Sequence, residues 1–569
     1  LSAFCAAICC CVATTSSIAD DLSRAIDGLV EKGFSAHGVE RAADPADDYE
    51  FFRRARLDLT GIIPTVDEVR AFAADRSADK HERLIDRLIA GDECAVHLAS
   101  VFDVMWMERR PDEHIPSDDW RAYLAESFRR NKPLDLLVRE ILSSDGTEPA
   151  TRPAAKFILD REAAHDLLVR DIGRLFLGVD LQCAQCHDHP TVEDYRHRHY
   201  YGLHVFVAGT KLYRVPGAGG NTQLQEEAVR EATFASVFAP EVQNKTGPRI
   251  MDGPALEIPE YKKGEEYVEK PSSKTRGVPK FSLREALSQS LPRAETREFA
   301  RNMANRLWAH LMGRGVVHPL DMHHQGNPPT NPELLDALTD GLIAAKFDAR
   351  QFLRRLAQTR TYRRSSLAPI DVDADVIPEA SYAVAILKPL NPEQLFASFV
   401  RATGNEVTLE REIDAVLKAA ESPAPKSAAT ADVEQAAATP PSDAAAKQKA
   451  RAAERAKRVK AFADLFGSTP GSAEGEFQAS LTQALFLANA PSVSTWLAPQ
   501  HHNLAERLIA ERSPAAVAEA AYLAILSRPA AAEETTVVAE LLGQTPDRAT
   551  AIGQLIWSLV ASAEFRLNH

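Results

Sequence analysis

The chain has 569 residues, of which 45% are hydrophobic and 26% charged, with a formal net charge of −14. That length calls for about three or four domains, and the composition excludes a collagen, a disordered acidic tail protein and a polytopic membrane protein. The acidic balance, with a pI near 5.7, excludes the basic footprint of a nucleic-acid binder, and 7% aromatic residues give no stacking platform for single strands.

Four of the seven cysteines (Cys5, Cys9, Cys10 and Cys11) crowd into the first residues, leaving Cys94, Cys183 and Cys186 for the rest of the chain. This is not a disulfide scaffold. Residues 1–19 are uncharged and mostly apolar or small, which suits the apolar region of a signal peptide, although no basic region precedes them. Ser17 and Ala19 supply the small residues of a cleavage site before Asp20. The expectation is an exported protein of periplasm or cell surface. No later run is long enough to span a membrane.

Residues 20–210 read as successive helices. Thr65 and Glu68 form a capping box. Leu84, Ile85, Leu88 and Ile89 mark one apolar helix face. An amphipathic stretch from Trp120 to Leu142 breaks near Asn131-Lys132-Pro133, and another from Asp166 to Leu177 ends at Gly178. Between 211 and 280 Pro and Gly become frequent, and Lys211–Val215 is strand-like, so an irregular insert with some β structure is expected. Helical patterning returns over 281–420. A helix over Glu298–Leu311 stops at Gly313, and Asn331-Pro332 opens another. Residues 421–460 are low in complexity, a flexible Ala/Pro/Ser/Thr linker followed by a basic run, Lys447–Lys460, expected to be a solvated helix face. Residues 461–569 close the chain with further helices. The expected fold is mainly α, two multi-helix domains joined by the irregular segment.

Cys183-Ala184-Gln185-Cys186-His187 carries the chemical signal. Cys-x-x-Cys-His is the attachment pattern of c-type haem, with Cys183 and Cys186 as thioether anchors and His187 as proximal iron ligand. An export leader fits the same chemistry. Asp188 and His189 would then orient and tune that ligand. Two other readings stay open: a zinc site of Cys183, Cys186, His187 and His189, or a Cys183–Cys186 disulfide. His197, His199 and His204 follow closely, the first two read as surface residues between Arg196 and Arg198. Met105, Met107, Met251, Met303, Met312 and Met322 are the methionines that a distal position could draw on. Asp321-Met322-His323-His324, with His310 and His318 nearby, is a weaker candidate for a second metal site. No nucleotide loop, nucleophile elbow or His-Glu-x-x-His pair is present, so whether the chain is an enzyme stays open.

These residues fall into longer signatures. Arg56–Thr65 (RLDLTGIIPT) and Phe176–Pro190 (FLGVDLQCAQCHDHP) resemble those of the planctomycete-type cytochrome-like domain, as does Tyr200-Tyr201-Gly202-Leu203. Asn305-Arg306-Leu307-Trp308, Gly313-Arg314-Gly315, Thr361-Tyr362-Arg363 and Lys388–Leu395 (KPLNPEQL) are similar to its usual C-terminal partner domain. The resemblance spans most of the chain and implies two domains of unknown function, the cytochrome label resting on the same Cys-x-x-Cys-His run; that run and the leader together make an exported haem c protein the expectation. Its expected role is to move electrons or support a redox step with an unknown redox partner. A metal- or disulfide-stabilised binding or scaffolding protein is the alternative.

Overall fold

A computed structural model describes residues 22–217, 221–421, 444–471 and 481–569. The expected leader 1–19 and most of the expected flexible linker lie outside the described residues.

Helices dominate, and their ends follow from local chemistry. The Val66–Ala74 helix begins with the Thr65/Glu68 capping box, both halves formed. The break at Asn131-Lys132-Pro133 separates Ser117–Arg129 from Leu134–Ser143. Arg297–Met312 ends at Gly313 in the left-handed region, and Asn331 caps Pro332–Ala344 with its side chain on Leu334 N. Leu84, Ile85, Leu88 and Ile89 are the buried face of Lys80–Ala90, together with Lys80.

The segment between the helical parts holds three small antiparallel sheets of two strands each. Thr210–Arg214 pairs with Thr222–Glu226, Ala232–Ser236 with Ala239–Thr246, and Tyr267–Glu269 with Val278–Pro279. A fourth pairing, Lys388–Pro389 with Leu567–Asn568, ties the end of the chain to its middle. None of the described helices is long and apolar enough to cross a membrane.

The apolar side chains gather into two cores. The first runs from Ile26 to Tyr382 with Leu523 added from far downstream, so helices from both sides of the sheet segment share it. The second is built from Leu390 to Phe565 and receives Leu57 and Ile63 from far upstream. Ala444–Phe466 joins this second core through Phe462, whose ring lies 5.2 Å from that of Phe396. Its basic residues are not simply solvated. Arg451 and Arg455 pair with Glu410, and Arg451 also with Asp414, on the neighbouring helix. One side of the run is thus a basic–acidic seam against an acidic helix face, while Lys457 and Lys460, each 71% exposed, are solvated as the run's charge suggests.

Asp48–Thr60 lies between the two cores, and every residue from Phe51 to Thr60 is buried. Phe51, Phe52, Ala55 and Leu59 face the first core and Leu57 the second. The charges between them find partners across the seam. Arg53 donates to Phe565 O (2.9 Å) and Arg54 to Tyr362 O and Arg364 O (2.7 Å each). Asp58 accepts from Tyr362 Oη (2.9 Å) and Asn568 Nδ2 (2.7 Å) and pairs with Lys388. Lys388 also donates to His310 O (3.1 Å) and Leu311 O (2.8 Å), so all three ammonium hydrogens are used. Gly61 closes the helix at φ 73°, where a β-carbon would stand 2.4 Å from His97 Nδ1. Glycine is needed there both for the torsion and for the space.

Two measurements test this arrangement. Asp58→Asn removes the only negative charge touching Lys388 Nζ among the described residues, and breaking a buried pair from one side costs about 3–5 kcal/mol. The urea midpoint of the full chain should fall accordingly, whereas Asp371→Asn on the exposed surface should leave it within about 0.5 kcal/mol.

The second concerns pH. Burial pushes His97 from 6.5 down to about 3, and His310 and Lys388 beside it add to the effect. The unfolded chain therefore binds a proton near pH 6.5 that the folded chain refuses until about pH 3. Stability is complete above the higher value and is lost as pH falls between the two, by about 1.4 kcal/mol per pH unit. His97→Gln should flatten the acid limb of a plot of urea midpoint against pH; an unchanged limb would exclude this origin.

Candidate functional site

The Cys183–His187 run is delivered by a helix that changes pitch. His165–Ile172 continues into one π turn, Gly173–Leu177, which Gly178 ends at φ 76°. A β-carbon on Gly178 would lie 2.8 Å from His323 Cδ2 and 3.0 Å from Asn302 Oδ1. This glycine is therefore fixed by torsion and by close approach. Around it, His323 N donates to Gly178 O (2.9 Å), Asn302 Nδ2 donates to Leu175 O (2.9 Å), and Val179 bridges Met322. Arg174 in the π turn pairs with Glu108 (2.9 Å) and Asp321 (2.7 Å). The segment leading to the cysteines is thus gripped by Glu108 upstream and by residues more than a hundred positions later.

Cys183–Gln185 forms a single 3₁₀ turn. Ala184 is buried while Cys183 and Cys186 are exposed, so the turn is anchored by the residue between the thiols. Both cysteines are free, as is the buried Cys94.

The two histidines that follow hold opposite tautomers. His187 Nδ1 lies 2.6 Å from Asp188 O. A carbonyl only accepts, so Nδ1 carries the proton and Nε2 keeps its lone pair. His189 Nδ1 instead accepts from Val192 N (3.0 Å) and Thr191 N (3.2 Å), so its proton sits on Nε2. His189 shapes its own turn. Asp188 accepts at Oδ1 from His197 N (2.8 Å), placing a carboxylate at the positive end of His197–Val207.

His197 and His199 are buried, not on the surface as their arginine neighbours suggest, with exposures of 6% and 1%. The helix carrying them is wedged behind the cysteine turn and packs on the 232–246 hairpin. His197 Nε2 donates to Gln185 O (3.1 Å) and His199 Nε2 meets Asp252 (3.1 Å). Burial, with His165 nearby, brings His204 down to about 4.

Met107, Met251, Met303 and Met312 are in the first core and Met105 packs against it; Met322 pairs by backbone with Val179. The second histidine group is dispersed. His310 donates to Asp58 O (2.9 Å), His323 packs on Gly178, and the His324 ring sits 5.5 Å from Tyr195. Among the described residues no three His, Cys, Asp or Glu side chains are grouped to hold a metal ion.

One element of the site was not legible in the sequence. In the Ala232–Thr246 hairpin, Val237 N donates to Cys186 O (3.0 Å) and the Phe238 ring stands 5.0 Å from that of His187. Phe234 lies between Tyr201, stacked at 4.5 Å, and His197, edge-on at 4.7 Å. The signal available was the β-prone run Thr233-Phe234 with Val237-Phe238, in a segment whose Pro and Gly content read as irregular.

Two family models match the chain. Residues 25–211 match PSCyt2, a protein of unknown function (DUF1549), and residues 283–542 match PSD1, a protein of unknown function (DUF1553). No curated protein and no solved structure matches. The chain therefore belongs to the proteins that join a PSCyt2 domain to a following PSD1 domain, the arrangement that its signatures resemble.

Proposed function

We propose that this protein is an exported c-type haem protein that carries electrons or supports a redox step outside the cytoplasm. The observation carrying this reading is the geometry of Cys183–His187: two exposed free thiols on one turn, followed by an imidazole whose Nδ1 is tied to a carbonyl. That bond is the outer-shell contact that metal-binding histidines ordinarily make, and it leaves Nε2 for iron. The donor set fits haem. It fits zinc less well, because His189 Nδ1 is already taken by two backbone amides.

In this reading the chain's part is covalent anchoring and orientation. Cys183 and Cys186 would hold the haem through thioether bonds, each formed by addition of the thiol S–H across a vinyl group with nothing leaving. When bound, the haem supplies one-electron chemistry. Asp188 and His189 act indirectly, by fixing the loop that fixes His187. The scaffolding alternative, without haem, draws on the same loop held rigidly by its neighbours.

A haem-stained denaturing gel and a pyridine haemochrome spectrum decide the matter, with the protein expressed with its leader in a host able to mature c-type cytochromes. Wild type should give a stained band that survives denaturation, and Cys183→Ala with Cys186→Ala should abolish it. His189→Ala should keep the band and alter only the visible spectrum. A colourless wild type would refute the haem reading, and metal analysis with a thiol count would then separate zinc from a disulfide.

A further inference from the structure

The two-residue turn between Ala232–Ser236 and Ala239–Thr246 is Val237-Phe238. Tight hairpin turns ordinarily use Gly, Asn or Asp, which suit both the torsions and the water around them. Here both residues are large, apolar and mostly exposed, Val237 at 60% and Phe238 at 80%. The hairpin has no need of them for its own packing, since Phe234 supplies its contact with Tyr201 and His197.

What the turn does touch is the cysteine loop. Val237 N donates to Cys186 O at 3.0 Å, which fixes the turn to the second cysteine. The Phe238 ring lies 5.0 Å from that of His187, inclined by 41°, so the two rings are in tilted contact. Two apolar side chains are thereby held in water beside Cys186 and the His187 imidazole.

We propose that the Val237-Phe238 turn positions a porphyrin carried by this loop. Phe238 orients the His187 ring, and both side chains form the apolar surface against which the macrocycle edge lies. The inference rests on the haem reading above. A flat apolar group anchored at Cys183 and Cys186 is the occupant that fits, because the turn is bonded to Cys186 and its Phe238 ring touches His187. A protein partner needs a far wider apolar patch than Val237, Phe238 and the nearby exposed Val242 provide, and exposed Glu241 interrupts this one.

The test uses the full chain matured with its leader. Amide exchange over residues 232–246 is compared between wild type and the Cys183→Ala/Cys186→Ala variant, and the loaded protein should exchange about tenfold more slowly at the turn. Phe238→Ala, at an exposed position, should keep its covalent haem and its circular dichroism. Its ferrous-to-ferric ratio at a fixed solution potential should change by about threefold or more. Wild type without haem overturns both this inference and the reading beneath it. Haem-loaded wild type with equal exchange at the turn, or with an unchanged ratio in Phe238→Ala, overturns the positioning role alone.

Discussion

Four charged side chains, Arg53, Arg54, Arg56 and Asp58, are buried along one helix between two hydrophobic cores, and the rest of the structure is arranged around satisfying them. An ion withdrawn from water costs several kcal/mol unless its hydrogen-bonding groups are met. Here the partners come from distant parts of the chain: carbonyls at Tyr362, Arg364 and Phe565, the carboxylate of Glu93, the ammonium of Lys388 and the amide of Asn568. Moving one core away from the other would strand these ions in an apolar interior. The two cores are consequently coupled by electrostatics as well as by the apolar contacts of Leu57 and Ile63.

This gives the signature strings of the chain a physical meaning that their spelling does not disclose. Leu57-Asp58 in the first signature, Tyr362 in another and Lys388 in a third meet at one buried point, and Gln394 Nε2 adds a bond to Leu57 O at 2.9 Å. These signatures are interlocks. A second seam has the same character nearer the cysteine loop. Arg161 and Asp171 pair at 2.6 Å with both side chains fully buried, and Arg306 donates to Arg174 O at 2.8 Å from the following domain. The π turn that launches Cys183 is therefore held by both halves of the protein, so the site's geometry is a property of the whole chain.

Much of the local structure was legible because its causes are local. The Thr65/Glu68 box, the Asn331-Pro332 start and the stops at Gly178 and Gly313 each depend on a few neighbouring residues, and each is formed as read. What was hidden depends on partners far away in sequence. Arg53-Arg54 has the composition of a surface helix, and its burial depends on the carbonyls opposite and on the Glu50 carboxylate beside Arg54. His197 and His199 sit among arginines, yet Asp252 and Gln185 draw them inward. The Lys447–Lys460 run looks solvated until Glu410 and Asp414 are placed beside it. Of the site, Cys183, Cys186 and His187 were legible as a pattern, whereas the hairpin tip was not, since its register decides which apolar residues reach the loop.

The loop itself shows how a short sequence can separate identical side chains into different roles. His187 and His189 are two residues apart, yet one is protonated on Nδ1 and the other on Nε2, because a carbonyl faces the first and two amides face the second. Asp188 between them is engaged by the amide of His197, so neither it nor His189 is free to follow a ligand. Ala184 is buried while its flanking cysteines are not, which pins the turn without using either thiol. The hydrogen bonds that define this loop are thus made among protein groups before anything is attached. Such preorganisation lowers the ordering cost of binding a rigid group, which is how this loop would serve the proposed haem.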